Sequence, residues 1–554
     1  MNRVPDDILR VGRPYVPVAL AAVVFLLMAA VVSPVERQQR TIAGEAQVPL
    51  GPTTESPTGT TPDGAPEVVA DPTAGPAPDR GGGPEVTTGG PGRETAAGGV
   101  QRCADRAEQV PGDPYSPPCL VFSGDNGGAT HQGVSADEIV VGIRVLEGPS
   151  AAEIFSDISG ENVESSPESV EDTLLALGEY FSSRYQFYGR KIRFDIFKGE
   201  GSGASELLGG GKEKALADAV RANERGVFAD MTALTLPYAD ALSRQEIVNI
   251  GAPYPSRAWF DERSPYAWSL FPDGTVVSEA AVANIAARLE EPNIAVYAGP
   301  ELQDRERVYG LVAPENVEYQ ESVNRFIEAV GEVGLDVEIN LKYKLDISSM
   351  PNQASNIIAQ LKDRGVTSII CACDPVMLAL GMTPKANEQS YEPEWLTGGL
   401  AFVEQDIVAQ LIDQKQWARA YGIAFNAESE PQGASFPYRA YKSVRPDDEP
   451  AFGVEEIYYQ MLMLSIGFHM AGPNLNPQTF QAGMYSYPGA LGPRGFWSFG
   501  PGDHTPTDDF REIWWDPERI SPQNNKPGAW VQVGGGARYF PDNVPPGPPR
   551  YFQG

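Results

Sequence analysis

DEIVVGIRVL at residues 137–146, SVEDTLLALGEYFSSRYQF at 169–187 and RKIRFDIF at 190–197 decide the fold class. The first and third are short runs rich in Val, Ile and Phe that suit buried strands, whereas the second repeats apolar side chains at helical spacing. Outward from them the alternation continues. KEKALADAVRANERG (212–226) reads as helix, GVFADMTAL (226–234) as strand, LPYADALSRQE (236–246) as helix and IVNIGAP (247–253) as strand. Strands that alternate with helices return parallel to one another, which gives an α/β, doubly wound sheet.

The rhythm restarts after SPYAWSLFPDG (264–274). VVSEAAVANIAARL (276–289) reads as helix, NIAVYAG (293–299) as strand, EYQESVNRFIEAVGEVG (318–334) as helix, DVEINLKYKL (336–345) as strand and NQASNIIAQLKDRG (352–365) as helix. TSIICAC (367–373) and EWLTGG (394–399) close this second unit as strands, followed by the long apolar helix EEIYYQMLMLSIGFHMAG (455–472) and a Trp/Pro-rich tail. Two consecutive units of this kind predict two lobes with a ligand cleft at the carboxyl ends of their strands.

Within 554 residues, 42% are hydrophobic and 21% charged, a globular balance. A net charge of −32 and the absence of a Lys/Arg-rich run exclude a nucleic-acid partner, because a phosphate backbone would be repelled. Residues 15–35 carry no charge and suffice to cross a bilayer, as a transmembrane anchor or as a signal sequence; Arg3, Arg10 and Arg13 place residues 1–14 in the cytoplasm. Residues 36–100, dominated by Pro, Gly and Thr, read as a disordered stalk, 101–133 as a lead-in and 541–554 as a flexible tail. Outside the cytoplasm Cys103 and Cys119 form a disulfide. Cys371 and Cys373 stand in C-x-C, and with three histidines in the chain they lack further metal ligands, so they read as buried small side chains.

GVSADEIVVGIRV (133–145), EYQESVNRFIEAVGEVGLDV (318–337), NQASNIIAQLKDRGVTSIICACDP (352–375) and VEEIYYQMLMLSIGFHMAG (454–472) trailed by NPQTFQAGM (476–484) recur in family order. From Val134 to Val533 the chain resembles the type I periplasmic binding proteins, the branched-chain amino-acid or amide (Leu/Ile/Val-binding-protein-like) branch that serves ABC importers. That resemblance implies two Rossmann-like lobes, residues 134–273 plus 440–490 and residues 274–439 plus 491–540. They would be joined by a three-crossover hinge near Asp273, residues 430–440 and Leu491.

The resemblance also proposes ligand-binding residues. In the amino-acid binders a Ser/Thr cluster holds the ligand carboxylate, and MTALTLP (231–237) offers Thr232 and Thr235, with Ala233 and Leu234 where hydroxyls are expected. GAPYPSRAWF (251–260) places Ser256 at a ligand-contact position, and Tyr254 and Trp259 suit an aromatic wall. Tyr319 matches the family's cleft Tyr at the start of the second lobe's first helix. Binders of amino acids also carry an acidic residue after the Gly of the TGGLAFVEQD loop (397–406), where this chain has Leu400 and Ala401, with Glu404 further on. Without those charge partners a zwitterion is costly to desolvate, so a less polar or differently charged ligand than a branched-chain amino acid is expected. Asp374 and Phe402 complete the cleft.

GEGSGASELLGGGKEK (199–214) lacks the phosphate-loop spacing before Lys212, and Glu213 stands where Ser or Thr would hold magnesium. GDNGGAT (124–130) lacks the spaced acidic ligands of a calcium loop. No nucleophile elbow or metalloprotease helix appears. The expectation is a solute-binding protein, not an enzyme, single-pass in the cell membrane with its globular part outside. Its partners would be a small-molecule ligand and an ABC permease, without cofactor or metal. The alternative is a membrane-tethered ligand-sensing or scaffolding ectodomain without a transport role.

Overall fold

A computed structural model describes residues 98–146, 166–207, 209–346 and 349–552. The expected cytoplasmic segment, the anchor at 15–35 and nearly all of the stalk lie outside them. Among the described residues no helix is long and apolar enough to cross a membrane.

The first described strand lies at Gly98, inside the segment expected to be stalk. Gly98–Arg102 (β1) pairs antiparallel with Leu120–Gly124 (β2), and the Cys103–Cys119 disulfide closes the loop between them. That loop is docked. The Asp113 carboxylate, 2% exposed, accepts the hydroxyls of Tyr458 at 2.6 Å and Tyr185 at 2.9 Å, and Tyr115 stacks on Trp497 with ring centroids 4.2 Å apart.

Glu138–Val145 (β3), Lys191–Lys198 (β4), Ala229–Asp230 (β5), Val248–Ile250 (β6) and Ala267–Trp268 (β7) form a wholly parallel sheet in the order β4-β3-β5-β6-β7. Seven of the eight β3 residues are buried, as expected of a strand covered on both faces. The helix α1 (Pro167–Arg184) follows β3; Ser166 accepts the Ser169 N–H at 3.1 Å, and Val170, Leu174, Leu177 and Phe181 form its buried stripe. Helices α2 (Lys212–Glu224) and α3 (Leu236–Arg244) supply the next crossovers.

Tyr309–Pro314 (β8), Ile339–Tyr343 (β9), Ser368–Cys371 (β10), Glu394–Thr397 (β11) and Ala420–Ala424 (β12) repeat that order as β9-β8-β10-β11-β12. The hairpin Ala490–Gly492 (β13) and Gly495–Trp497 (β14) stands apart, while Phe510–Ile520 (β15), Pro527–Gln532 (β16) and Arg538–Tyr539 (β17) extend the second sheet antiparallel beyond β12. The crossovers include α4 (Gly274–Arg288), α5 (Val317–Glu332) and α6 (Met350–Asp363). Asp273 caps α4 by accepting the N–H groups of Thr275 and Val276 at 2.8 and 2.9 Å, and Arg288 at its other end forms a two-pronged pair with the Glu512 carboxylate of β15.

Three sequence expectations are corrected. NIAVYAG is a turn-rich segment with one isolated bridge at Ile294; the second sheet opens instead with YGLVAP at 309–314, the apolar run that leads directly into α5. The segment from Leu491 joins the second sheet only at Phe510, because Trp497 and Phe499 pack in the first sheet's core beside α7 (Val454–Met470). The tail beyond 540 is not loose: Tyr551 is 2% exposed with its ring tilted against Tyr421 at a centroid distance of 4.7 Å, and the Gly547 N–H donates to the Ala287 carbonyl.

Helix α7 is apolar all round and almost wholly buried. Its His469 Nδ1 accepts the Gln186 N–H at 3.1 Å, and Nε2 faces the Pro118 carbonyl at 2.9 Å, so the neutral ring with its proton on Nε2 satisfies both neighbours. Burial pushes its pKa down to about 4. Below pH 6.5 the unfolded chain takes up a proton that the folded chain refuses, so this group's contribution to stability falls by roughly 2 kcal/mol between pH 7 and pH 5. Asp230 works in the opposite direction, since burial raises its carboxyl to about 6 and the folded state takes up its proton first. Urea unfolding of His469→Asn is therefore expected to lose about 2 kcal/mol less than the parent over that pH interval; equal slopes would assign the effect elsewhere.

Candidate functional site

The carboxyl end of the first sheet, where β3 and β5 diverge, is filled by side chains of the chain itself. Arg144, 1% exposed, donates from Nε to Asp218 Oδ2 at 2.9 Å and from Nη1 to Glu206 Oε2 at 2.9 Å, with Nη2 on Glu206 Oε1. Its guanidinium lies 4.1 Å from the centre of the Tyr238 ring. Thr235 Oγ1 donates to Glu206 Oε2 at 2.5 Å, and Thr232 Oγ1 donates to Asp230 Oδ1 at 2.6 Å while accepting the Arg144 N–H at 3.0 Å. The two threonines expected to grip a carboxylate are thus committed to this network. Thr235 precedes α3 but makes no side-chain cap bond either.

The second sheet offers space at the equivalent place. A cavity of about 120 Å³ lies at the carboxyl ends of β8, β10 and β11, between α4 and α5. Leu311 and Ile370 form its floor, Ser278 and Ala281 its α4 wall, Tyr319 and Phe326 its α5 wall. This is where doubly wound sheets hold ligands, at the point where the strand order reverses.

Tyr254, from the loop after β6 of the first sheet, covers this cavity; its hydroxyl accepts the Ala401 N–H at 3.0 Å. Ser256 makes a second link by donating to Glu321 Oε2 of α5 while accepting the Trp259 N–H at 3.1 Å. Three non-glycine residues with left-handed backbone meet here: Tyr254 at φ 62°, Ala401 at 52° and Phe402 at 61°. Such conformations cost about 1–3 kcal/mol each and persist where surrounding contacts enforce them, often at ligand clamps.

Of the residues singled out in the sequence, Tyr254, Tyr319 and Asp374 line the cavity. Asp374 has no free oxygen to offer: Oδ2 accepts the Tyr343 hydroxyl at 2.7 Å, and Oδ1 accepts the N–H groups of Val376 and Met377 at 2.9 and 3.0 Å. Burial holds its pKa above the ordinary carboxylate value. Phe402 packs behind the cavity, its ring edge-on to Phe271 with centroids 5.4 Å apart. Thr232, Thr235 and Ser256 do not line it. Glu404 is 2% exposed and accepts the Asn426 side-chain amide at 2.7 Å through Oε1, and it does not line the cavity.

Cys371 and Cys373 are joined to each other and form part of the cavity wall, where the sequence suggested two small thiols. The α5 residues Ser322, Val323 and Phe326 were also missed. Their spacing from Tyr319, three, four and seven positions on, marks one helix face and was the available signal.

No protein-family model and no curated protein matches the chain. Solved structures do. A solute-binding protein of an ABC transporter from Rhodopseudomonas palustris BisB5, in complex with 3,4-dihydroxybenzoic acid, aligns over 73% of this chain and 98% of its own, with TM-score 0.50 and 12% identity. Another from R. palustris, in complex with 4-hydroxybenzoate, covers 73% and 97% at 13% identity and TM-score 0.50. The leucine-, isoleucine-, valine-, threonine- and alanine-binding protein from Brucella ovis, in its closed conformation, covers 74% and 97% at 12% identity and TM-score 0.50. The chain has the fold of the type I periplasmic binding proteins. Within this periplasmic-binding-protein fold the polar hole of the first sheet is occupied by Arg144 and its carboxylates, and the open space belongs to the second.

Proposed function

We propose that the protein is an extracytoplasmic solute-binding protein that captures a small molecule between its two lobes and delivers it to an ABC importer. The observation that carries this reading is the cavity at the carboxyl ends of the second sheet, roofed by Tyr254 from the first. The relatives of known structure with aromatic acids bound support it as analogues in fold. In this reading the chain crosses between lobes three times, after β7, after β12 and between Phe499 and Phe510, and rotation about those strands of chain parts Tyr254 from Ala401 and Ser256 from Glu321. The residues proposed to meet the ligand are Tyr254 and Tyr319. The apolar run at 15–35 would hold the folded part outside the membrane.

Titration calorimetry of the full chain against a metabolite library, paired with small-angle X-ray scattering, tests the proposal. A ligand that binds at one per chain and reduces the radius of gyration is expected. A protein that binds nothing and keeps a single compactness would rule the reading out.

A further inference from the structure

The cavity's polar groups are few, and their commitments can be followed atom by atom. Asp374 is the sole charged residue of the described wall, and both its oxygens are occupied. The single Ser278 hydroxyl proton is shared between the carbonyls of Gly274 and Ser322, at 2.7 and 2.9 Å from Oγ. Three hydroxyls remain open. Ser322 Oγ is buried without a partner, the Tyr319 hydroxyl has none among the described residues, and the Tyr254 hydroxyl accepts a hydrogen bond but has no acceptor there for its own proton. Away from these groups the surface is hydrocarbon, with Leu311, Val323, Phe326 and Ile370 at the inner end and the Cys371–Cys373 sulfurs beside them. An ionised carboxylate buried here would exchange its water for neutral hydroxyls with no cation beside it, and an ammonium would meet only Asp374, already engaged by Tyr343 and two backbone N–H groups, so either charge is costly to desolvate. A neutral group carrying an oxygen acceptor would satisfy hydroxyls that are otherwise orphaned. The volume of about 120 Å³ is close to that of a dry cavity of about 150 Å³ known to take a benzene ring.

We infer that the ligand of this cavity is an uncharged, mainly apolar small molecule: one aromatic ring or a short branched aliphatic chain, inserted between α4 and α5, with a single oxygen acceptor turned to Tyr254, Tyr319 and Ser322. The inference rests on the solute-binding reading above and narrows it to a substrate class. Recognition is then carried mainly by the second lobe, and the first contributes the Tyr254 roof. The first sheet's own polar hole cannot receive a charged head group, because the Arg144 guanidinium is already saturated by Glu206 and Asp218.

The decisive probes are p-toluamide and p-toluate, which share a shape and differ in charge, together with p-cresol, 3-methylbutan-1-ol and L-leucine. Calorimetry on the full chain is expected to show p-toluamide bound at least ten-fold more tightly than p-toluate, and 3-methylbutan-1-ol more tightly than L-leucine. Ala281→Phe, which fills the α4 wall, is expected to abolish binding. Ser322→Ala is expected to weaken p-toluamide several-fold. Should Ala281→Phe lose its cooperative melting transition, hydrogen exchange on the parent protein replaces it, with protection on adding p-cresol expected along Gly274–Arg288 and Val317–Glu332. Equal or tighter binding of the charged partner, or protection confined to other segments, overturns the inference and leaves the solute-binding reading standing. If none of the probes binds, the library decides: an uncharged apolar ligand supports the inference, a charged one overturns it, and no ligand at all removes both.

Discussion

Replacing Arg144 with methionine is expected to destabilise the protein by about 3–5 kcal/mol, close to the whole stability margin of many domains. The cost arises from what is left behind. Glu206 is 1% exposed and Asp218 fully buried, and without the guanidinium Glu206 keeps only the Thr235 hydroxyl while Asp218 keeps backbone N–H groups and Arg221 Nη1 at 3.7 Å. The loop over the pair cannot relax to admit water easily: the N–H groups of Glu200 and Gly201 already donate to Asp218, and a Cβ on Gly201 would fall 1.8 Å from Arg144 Nη2. Equilibrium urea unfolding at pH 7 measures the loss. Adding Glu206→Gln and Asp218→Asn to Arg144→Met removes the stranded charges and is expected to restore most of the stability, because a neutral, well-packed set replaces an ion cluster at little cost. A single variant within 1 kcal/mol of the parent would show that water or a rearranged carboxylate compensates, and that the network does not seal the first sheet's end.

The same network shows what the sequence could and could not convey. GEGSGASELLGGGKEK has the glycine density of a phosphate loop without its spacing. In the fold Gly199 and Gly201 are small because the backbone lies against Arg144 and Asp218. Nothing local announces that contact, since Arg144 lies more than fifty residues earlier in a strand that reads as purely structural. Thr232, Thr235 and Ser256 were singled out by position in a family pattern, but their partners Asp230, Glu206 and Glu321 decide their role, and two of these come from other elements. Periodic features fared better. The strand and helix alternation gave both parallel sheets, because each element there is buried by its own apolar pattern. It failed at NIAVYAG and YGLVAP, two short apolar runs that periodicity cannot tell apart, and it passed over AYGIA at 420–424, whose small residues carry little hydrophobic signal. Tyr254 and Tyr319 were legible as aromatic residues at cleft positions. The empty space between them was not, because a cavity is defined by side chains that do not meet.

Tyr254 gives that cavity its most demanding test. Truncating it to alanine removes the roof and the acceptor of the Ala401 N–H together, and an aromatic side chain that closes a desolvated pocket is typically worth about 2–4 kcal/mol, a loss of about 30- to 1,000-fold in affinity. Tyr254→Phe separates the two contributions. The ring remains, so packing on Phe271 at 5.7 Å is kept, while the Ala401 N–H is buried without an acceptor whenever the lobes are closed. If the lobes close as proposed, that penalty of about 1–3 kcal/mol falls on the closed form alone. Scattering of the ligand-free Tyr254→Phe protein is therefore expected to show a larger radius of gyration than the parent, whereas Tyr254→Ala loses ligand binding as well. The left-handed backbone at Tyr254, Ala401 and Phe402 sharpens the expectation, because strain gathered on both sides of one hydrogen bond is released when that bond is given up. If Tyr254→Phe keeps the parent's compactness and Tyr254→Ala keeps its affinity, the contact between Tyr254 and Ala401 belongs to a rigid core, and closure of one lobe on the other must be driven from elsewhere.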